Sequence, residues 1–327
     1  MAQSEIGLLS VGRTRDLSAV VIPVHFAPSV PEGQVREILE SLLGEAAVYC
    51  RPEHLLTVVD RGTAAERVLA GFPGLRIHRL ERNKGKAGAV AAGLSDLLAT
   101  SDARYLVTRD CDGDHAQEDL PRLISLAAFV EGVTGCPVVS VMGARPSLEK
   151  PMGWLRDQWE RLTNSVLLDA LDYALARQGR VLDRRFWSGA APDIQSGYRV
   201  YSRPAAARTA ESLESLPDDP DVWTFACEFV PFADLVMAGG VFAQLQRLTQ
   251  VEQPVTSYGG VDLPRVYGRL LAFVGDRLEI PREILRQCFD NHLIGTSLFF
   301  TDSRGALLEA RDLIDPGAPE VQRARLL

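Results

Sequence analysis

The chain has 327 residues, enough for one large domain or two ordinary ones. Its 46% hydrophobic and 24% charged content is that of an ordinary water-soluble globular protein. The net charge of -8 excludes a general electrostatic attraction to nucleic acid or to an anionic membrane surface. The five cysteines, Cys50, Cys111, Cys136, Cys227 and Cys288, are scattered and form no Cys-x-x-Cys pair, which argues against zinc and disulfide frameworks. A reducing, cytoplasmic setting is expected. No secretory apolar region opens the sequence, and no charge-free apolar run reaches the ~18 residues of a membrane span.

Up to about residue 145 strand patterns alternate with helix patterns. "AVVIPV" (19–24) is a short β-branched run of the kind buried in parallel sheets. "QVREILESLL" follows, with Val35, Ile38, Leu39 and Leu42 on one helical face. "LLTVVD" and "LRIHRL" predict two more strands, and the small residues of "GKAGAVAAGLSDLLA" predict a closely packed helix. "RYLVTRD" predicts a strand that delivers Asp110 at its end; "EDLPRLISLAAFV" predicts a helix and "PVVSVMGA" a strand. This alternation implies an α/β fold with a mostly parallel, Rossmann-like sheet flanked by helices. Ligands of such sheets bind beyond the carboxyl ends of the strands, so Asp60, Asp110 and Arg145 are expected on one edge.

A long amphipathic helix is predicted from Gly153 to about Arg177, with Leu155, Trp159, Leu162 and Val166 in its apolar stripe. "GYRVYS" (197–202) predicts a strand and "VWTFACEFVPFADLVMA" a single helix. Residues 264–314 predict two or three further helices. A boundary is placed near residue 255, giving a catalytic domain over 1–255 and a C-terminal helical extension over 256–327.

The stretch "RDCDGDH" (109–115) sets Asp110, Asp112 and Asp114 at alternate positions. Carboxylates this close repel one another unless a cation or several donors sit among them. A calcium loop is excluded, because loop positions six and twelve, counted from Asp110, hold His115 and Pro121 rather than Gly and Glu. A haloacid-dehalogenase-type phosphohydrolase also ends an apolar strand in Asp-x-Asp, but wants Thr or Val where Asp114 stands. A solvated acidic turn is the plainest alternative. The remaining reading is Mg²⁺ or Mn²⁺ holding a nucleoside diphosphate: these hard cations take carboxylate, phosphate and water oxygens, and can neutralise a departing diphosphate.

The neighbouring segments decide among these. "AVVIPVHF", "LLTVVDRGT", "NKGKAGAVAAGL" and "YLVTRDCDGDHAQEDLPRLI" stand in an order and spacing that resemble the family 2 glycosyltransferases of GT-A fold. "DCDGDHAQEDLPRL" and "DIQSGYRVYSR" (193–203) are similar to segments of the dolichol-phosphate-mannose synthase-like, polyprenyl-phosphate glycosyltransferase enzymes. The resemblance covers residues 18 to 250.

It implies a GT-A fold and a metal-dependent, inverting hexosyltransferase with a nucleotide-sugar donor of GDP-mannose or UDP-glucose type. The metal ligands correspond to Asp110, Asp112 and Asp114, the last replacing a Gln. Pro23, Val24, Asp60, Lys86, Asp110, Cys111 and Asp112 are implied to bind the nucleotide sugar. Arg61 stands where the family has a second Asp, which leaves guanine or uracil open. The acceptor-phosphate set corresponds to Arg145, Arg161, Ser165 and Arg203; Arg161 and Ser165 share a helix face, and the guanidinium fork suits phosphate. A phosphate acceptor needs no base, whereas a hydroxyl acceptor does, and Asp193 and Glu228 are then the candidate catalytic carboxylates beside Asp110 and Asp112.

The chain also departs from the pattern. His25-Phe26-Ala27 replaces Tyr-Asn-Glu, and "VEQPVTSYGG" replaces Arg-x-x-Gly-x-Ser-Lys. "NKGKAG" is not a Walker A loop. The leading acceptor is a polyprenyl phosphate, the alternative a soluble small molecule. The other classes kept are a phosphohydrolase and a non-catalytic nucleotide-binding module. Peripheral contact with the inner membrane face is expected at most, with Trp154 suited to an interface. The C-terminal helices are expected to cover the acceptor site or to make a homodimer contact.

Overall fold

The computed structural model describes residues 8–147, 153–187, 192–248 and 261–316. Their strands are β1 (Ser18–Val24), β2 (Leu55–Asp60), β3 (Arg76–Leu80), β4 (Tyr105–Thr108), β5 (Val139–Ala144), β6 (Arg199–Ser202) and β7 (Val241–Gln246). The helices are α1 (Val11–Leu17), α2 (Glu32–Tyr49), α3 (Ala64–Leu69), α4 (Gly85–Thr100), α5 (Leu120–Thr134), α6 (Trp154–Ala176), α7 (Arg203–Glu214), α8 (Pro220–Phe225), α9 (Phe229–Met237), α10 (Leu263–Arg277), α11 (Arg282–Leu293) and α12 (Arg304–Ile314). Contacts divide the chain into two compact units, residues 1–147 with 183–259 and residues 148–182 with 260–327.

The first unit is a seven-stranded sheet in the order β3-β2-β1-β4-β6-β5-β7. Every pairing is parallel except those of β6, which runs antiparallel between β4 and β5. All residues of β1, β4 and β5 are buried, because helices cover both faces; hence the uninterrupted apolar runs in the sequence. Gly93 of α4 lies so close to β1 that a Cβ there would stand 2.4 Å from Val21 Cγ1. Small residues therefore let this helix lie directly on the strands.

Two predicted features differ from the structure. The single helix expected over 222–238 is broken into α8 and α9. Pro231 explains the break: inside a continuous helix its ring would clash with the carbonyl of Cys227, whereas in the first turn of α9 it is tolerated. The break leaves Glu228 at the N-cap of α9. The helix α7 over "RPAAARTAESLE" was not foreseen; Ser202 caps it by accepting from the Ala205 amide.

The second unit consists of α6 with α10, α11 and α12. Trp159 of α6 stacks on Tyr267 of α10 at 5.8 Å, and Asp169 of α6 meets His292 of α11 at 3.0 Å. The sequence expectation placed the whole of 1–255 in one domain; the contacts instead group α6 with the helices after residue 260. The expected boundary and "VEQPVTSYGG" lie outside the described residues. Among the described residues no helix is long and apolar enough to cross a membrane.

Candidate active site

Because β1, β2, β4, β5 and β7 all run the same way, their carboxyl ends share one edge of the sheet. His25, Asp60, Asp110, Arg145 and Arg247 follow these ends in turn, as expected for Asp60, Asp110 and Arg145. Strand β6 begins at this edge, and Gly197 lies two residues before it.

Lys86, in the first turn of α4, brings its ammonium to 2.5 Å from Asp110 Oδ1 and 2.6 Å from Glu228 Oε1. Burial disfavours its charge, but Asp110 and Glu228 outweigh that cost and hold its pKa well above the ordinary lysine value. Asp110 is opposed by burial in the same way and held below the usual carboxylate range by Lys86. Gly197 makes this approach possible: a Cβ there would stand 2.4 Å from Asp110 Oδ2 and 2.6 Å from Lys86 Nζ.

The three acids do not share one role. Asp112 is pushed well above the carboxylate range, first by burial and then by the charges of Asp114 and Asp110. Asp114 is buried, at 4% exposure, with Oδ1 2.9 Å from His115 Nε2. Burial disfavours its charge, but His115 and Arg247 outweigh it and pull its pKa far down. His115 Nδ1 accepts from the Asp110 amide at 3.1 Å, and the ring stacks on Tyr198 at 5.1 Å.

Among the described residues, no three Asp, Glu, His or Cys side chains gather into a metal-holding group. Of the expected trio of Asp110, Asp112 and Asp114, the last lies beside His115. Mg²⁺ or Mn²⁺ shared with phosphates needs only one or two protein carboxylates. Asp110 and Asp112 are hard-oxygen donors of that kind, and a cation beside Asp112 relieves the repulsion that raises its pKa. The residues fit such an ion on two ligands.

Arg145 and Asp193 are locked together. Arg145 donates from Nε to Asp193 Oδ2 at 2.8 Å, from a terminal nitrogen to Oδ1 at 2.5 Å, and from its own amide to Oδ2 at 2.9 Å. Burial opposes the Asp193 charge, but Arg145 outweighs it and holds the pKa below the carboxylate range. A carboxylate so stabilised is a weak base.

Arg203 corrects another expectation. Antiparallel register puts Ser202 opposite Tyr105, at the start of β4 and so at the far edge from Asp110. There Arg203 donates to the carbonyls of Leu98, Ser101 and Ala103. It satisfies backbone oxygens at the C-terminal end of α4 and just beyond it, of the kind a helix leaves unpaired, and is no part of the acid-bearing edge.

Arg247, which the sequence reading missed, occupies that edge instead. It is 2% exposed; one terminal nitrogen donates to the Asp114 carbonyl at 2.8 Å, while Nε and the other terminal nitrogen have no hydrogen-bond partner among the described residues. Nothing in "QLQRLTQ" distinguishes this arginine before the strand is placed. His115 and Gly197 lay inside segments already singled out, but their roles depend on contacts across the sheet.

Pro23 and Val24 end β1, with the Val24 side chain in the core. Cys111 is buried with Sγ 3.8 Å from the His25 carbonyl, and burial pushes its thiol up to about 12. Burial raises the Asp60 pKa, with His25 3.8 Å away opposing. Arg61 is turned to Glu81 at 3.0 Å. In the second unit, Arg161 is 61% exposed and bonds Asp157, and Ser165 donates to the Arg161 carbonyl.

The mostly parallel sheet flanked by helices, with an Asp-x-Asp loop beyond β4 and basic groups beside it, is a GT-A architecture. The family model "Glycosyl transferase family 2" matches residues 19–208, and the chain belongs to that family. It is therefore a glycosyltransferase, and the phosphohydrolase alternative falls away. It is 28% identical over 210 residues to the polyprenol monophosphomannose synthase of Mycolicibacterium smegmatis, covering 60% of this chain and 70% of that protein. Among solved structures, Staphylococcus aureus TarS 1-349 matches with a TM-score of 0.50 at 12% identity, over 94% of this chain and 82% of TarS. A mycobacterial protein matches with a TM-score of 0.48 at 15% identity, over 84% of this chain and 80% of its own.

Proposed function

We propose that this glycosyltransferase moves a hexose from a GDP-mannose- or UDP-glucose-type donor to a phosphate-bearing acceptor, with polyprenyl phosphate the leading one. The observation that carries the reading is Arg247, a buried arginine with two nitrogens that have no hydrogen-bond partner among the described residues, on the sheet edge that also carries the Asp110 and Asp112 carboxylates. An arginine so placed is held ready for an anion, since a buried cation is stable only with hydrogen-bonded company. Similarity to a polyprenol monophosphomannose synthase supports the choice of acceptor.

Asp110 and Asp112 would hold Mg²⁺ or Mn²⁺, which would supply charge neutralisation for the diphosphate leaving group. Lys86 supplies a second cation on the donor side. Asp60 faces the nucleobase beyond β2. The acceptor phosphate attacks the anomeric carbon as the bond to the diphosphate breaks, with inversion. It is already an anion and needs no base. In the alternative with a hydroxyl acceptor, Asp193 and Glu228 are the candidate bases, Asp193 paired with Arg145 and Glu228 with Lys86. Arg161 and Ser165 are retained as acceptor-binding residues by resemblance to the family. Trp154, 38% exposed at the start of α6, and its neighbour Leu155 suit peripheral docking on a cytoplasmic lipid surface.

The test supplies radiolabelled nucleotide sugar, Mn²⁺, a short-chain polyprenyl phosphate in detergent and a small-molecule extract. Label in the lipid phase, lost in excess EDTA, is the expected result. Label confined to the aqueous phase defeats the lipid acceptor. Undiminished turnover in EDTA defeats the metal.

A further inference from the structure

We infer that Arg199 is a positioning residue for transfer. Its guanidinium holds the buried turn 193–198 in the shape that seats Asp193 on Arg145 and brings Gly197 against Asp110 and Lys86, so one side chain fixes the acceptor side and the donor side relative to each other. The inference rests on the transferase reading above and deepens it, taking Asp110 and Lys86 as the donor side and Arg145 as the acceptor side.

Three observations lead to it. First, Arg199 is a buried cation that stability does not explain. It is 1% exposed. Its hydrogen bonds go to backbone carbonyls: Nε donates to Ser196 at 3.0 Å and one terminal nitrogen to Ile194. The other terminal nitrogen has no hydrogen-bond partner among the described residues. A buried guanidinium held without a carboxylate is costlier to the fold than an apolar side chain of its size.

Second, the carbonyls it holds belong to a turn that no ladder serves. Ile194 and Ser196 are buried, and the pairing of β6 begins only at Arg199, so their oxygens need a donor from elsewhere. Two carbonyls set two residues apart suit the fork of a guanidinium, whereas an ammonium presents its donors from a single point.

Third, the turn is common to both sides of the site. Asp193 takes both prongs of Arg145. Gly197 stands so near Asp110 and Lys86 that a Cβ there would collide with both. Three strands pin the turn to the sheet. Thr108 of β4 donates to the Gly197 carbonyl at 3.2 Å, Ser196 Oγ donates to the Gly143 carbonyl of β5 at 2.7 Å, and the Asp193 amide donates to the Gln244 side chain of β7 at 2.8 Å. Arg199 reaches back from the first residue of β6 and fixes the internal shape, together with the Ser196 amide on the Asp193 carbonyl at 3.1 Å. A change in that shape alters the spacing of Asp193 and Gly197, and with it the alignment of acceptor and donor, to which transfer is far more sensitive than binding.

The test is steady-state transfer by Arg199→Met and Arg199→Lys in the full chain, with hydrogen exchange of the Ser196 amide in substrate-free protein. Arg199→Met fills the space without donors. Its kcat is expected to fall about a hundredfold, the scale of a small misalignment, while the KM for nucleotide sugar and for polyprenyl phosphate each stays within about threefold. Arg199→Lys keeps the charge and loses the fork, so it should regain less than about a tenth of the lost rate. Gly197→Ala acts on the same turn, so adding Arg199→Met to it should cost no more than about threefold further. The Ser196 amide should exchange about tenfold faster in Arg199→Met. Wild-type kcat in Arg199→Met, a loss confined to either KM, full recovery by lysine, or losses that multiply in the double mutant each overturn the inference. If the wild type transfers to no phosphate acceptor, the reading above fails on its own account, and unchanged Ser196 exchange in Arg199→Met then overturns the clamp separately. Should Arg199→Met lose its cooperative melt, Arg199→Lys carries the comparison, and full activity in it overturns the proposal.

Discussion

Arg145 closes a two-pronged, fully buried ion pair on Asp193, joining the end of β5 to the segment that leads into β6. Removing one partner of a buried pair leaves the other charge uncompensated, at a cost of about 3–5 kcal/mol. Asp193→Ala should therefore lower stability by that order in urea melts at pH 7. The pair also carries a pH signature. The folded pKa of Asp193 is depressed, so its contribution is present above the unfolded value of about 3.9 and is lost as pH falls below it. Wild-type stability should drop more steeply than that of Asp193→Asn between about pH 4 and the acid limit. Parallel curves would mean the pair contributes no pH-dependent stability.

Asp112 has the opposite sign. Its folded pKa is raised by burial and by its acidic neighbours, so in the metal-free protein its ionisation costs stability once pH rises above about 3.9. Asp112→Asn should raise the melting temperature at pH 7 in EDTA. The same change should lower transfer by about a hundredfold or more, since charge neutralisation by a bound ion contributes several kcal/mol to the transition state. A variant that is both active and no more stable contradicts the assignment.

Gly197→Ala places a methyl against Asp110 and Lys86. To admit it, both the Lys86 end and the Asp110 carboxyl, with Cγ at 2.9 Å, must shift and part from each other's present positions. The expected outcome is a loss of about tenfold to a hundredfold in kcat/KM, the scale of a 1 Å misplacement, with an unchanged far-ultraviolet circular dichroism spectrum. Wild-type kinetics would show that the Lys86–Asp110 contact is dispensable.

Arg203 and Arg247 should separate cleanly. Arg203→Ala strips backbone carbonyls of their donor, and should cost about 1–3 kcal/mol of stability while leaving the acceptor KM unchanged. Arg247→Lys keeps the charge but loses the fork, and should raise the KM for acceptor or donor by about tenfold or more. Measuring both substrates tells which phosphate it holds. The reverse pattern would return Arg203 to the substrate.

Much of this architecture is legible in one dimension. A strand covered on both faces must be apolar throughout, so β1, β2, β4 and β5 declare themselves in "AVVIPV", "LLTVVD", "YLVT" and "VVSVMGA". Parallel strands joined by helices put their carboxyl ends together, so Asp60, Asp110 and Arg145 could be assigned to one edge before any coordinates. The alternate acids announced a need for positive charge. What the sequence left undetermined were the matters set by long-range pairing. The direction of β6 sends Arg203 to the far edge, and the parallel addition of β7 brings Arg247 to the near one. Asp114 looks like its neighbours in the sequence, yet it is buried beside His115, whose ring stacks on Tyr198 just ahead of β6. Burial periodicity is a local property, repeated every two or 3.6 residues and written along the chain. Which charges meet is decided only when distant strands pair, because an ion pair depends on separation in space and not on separation in sequence.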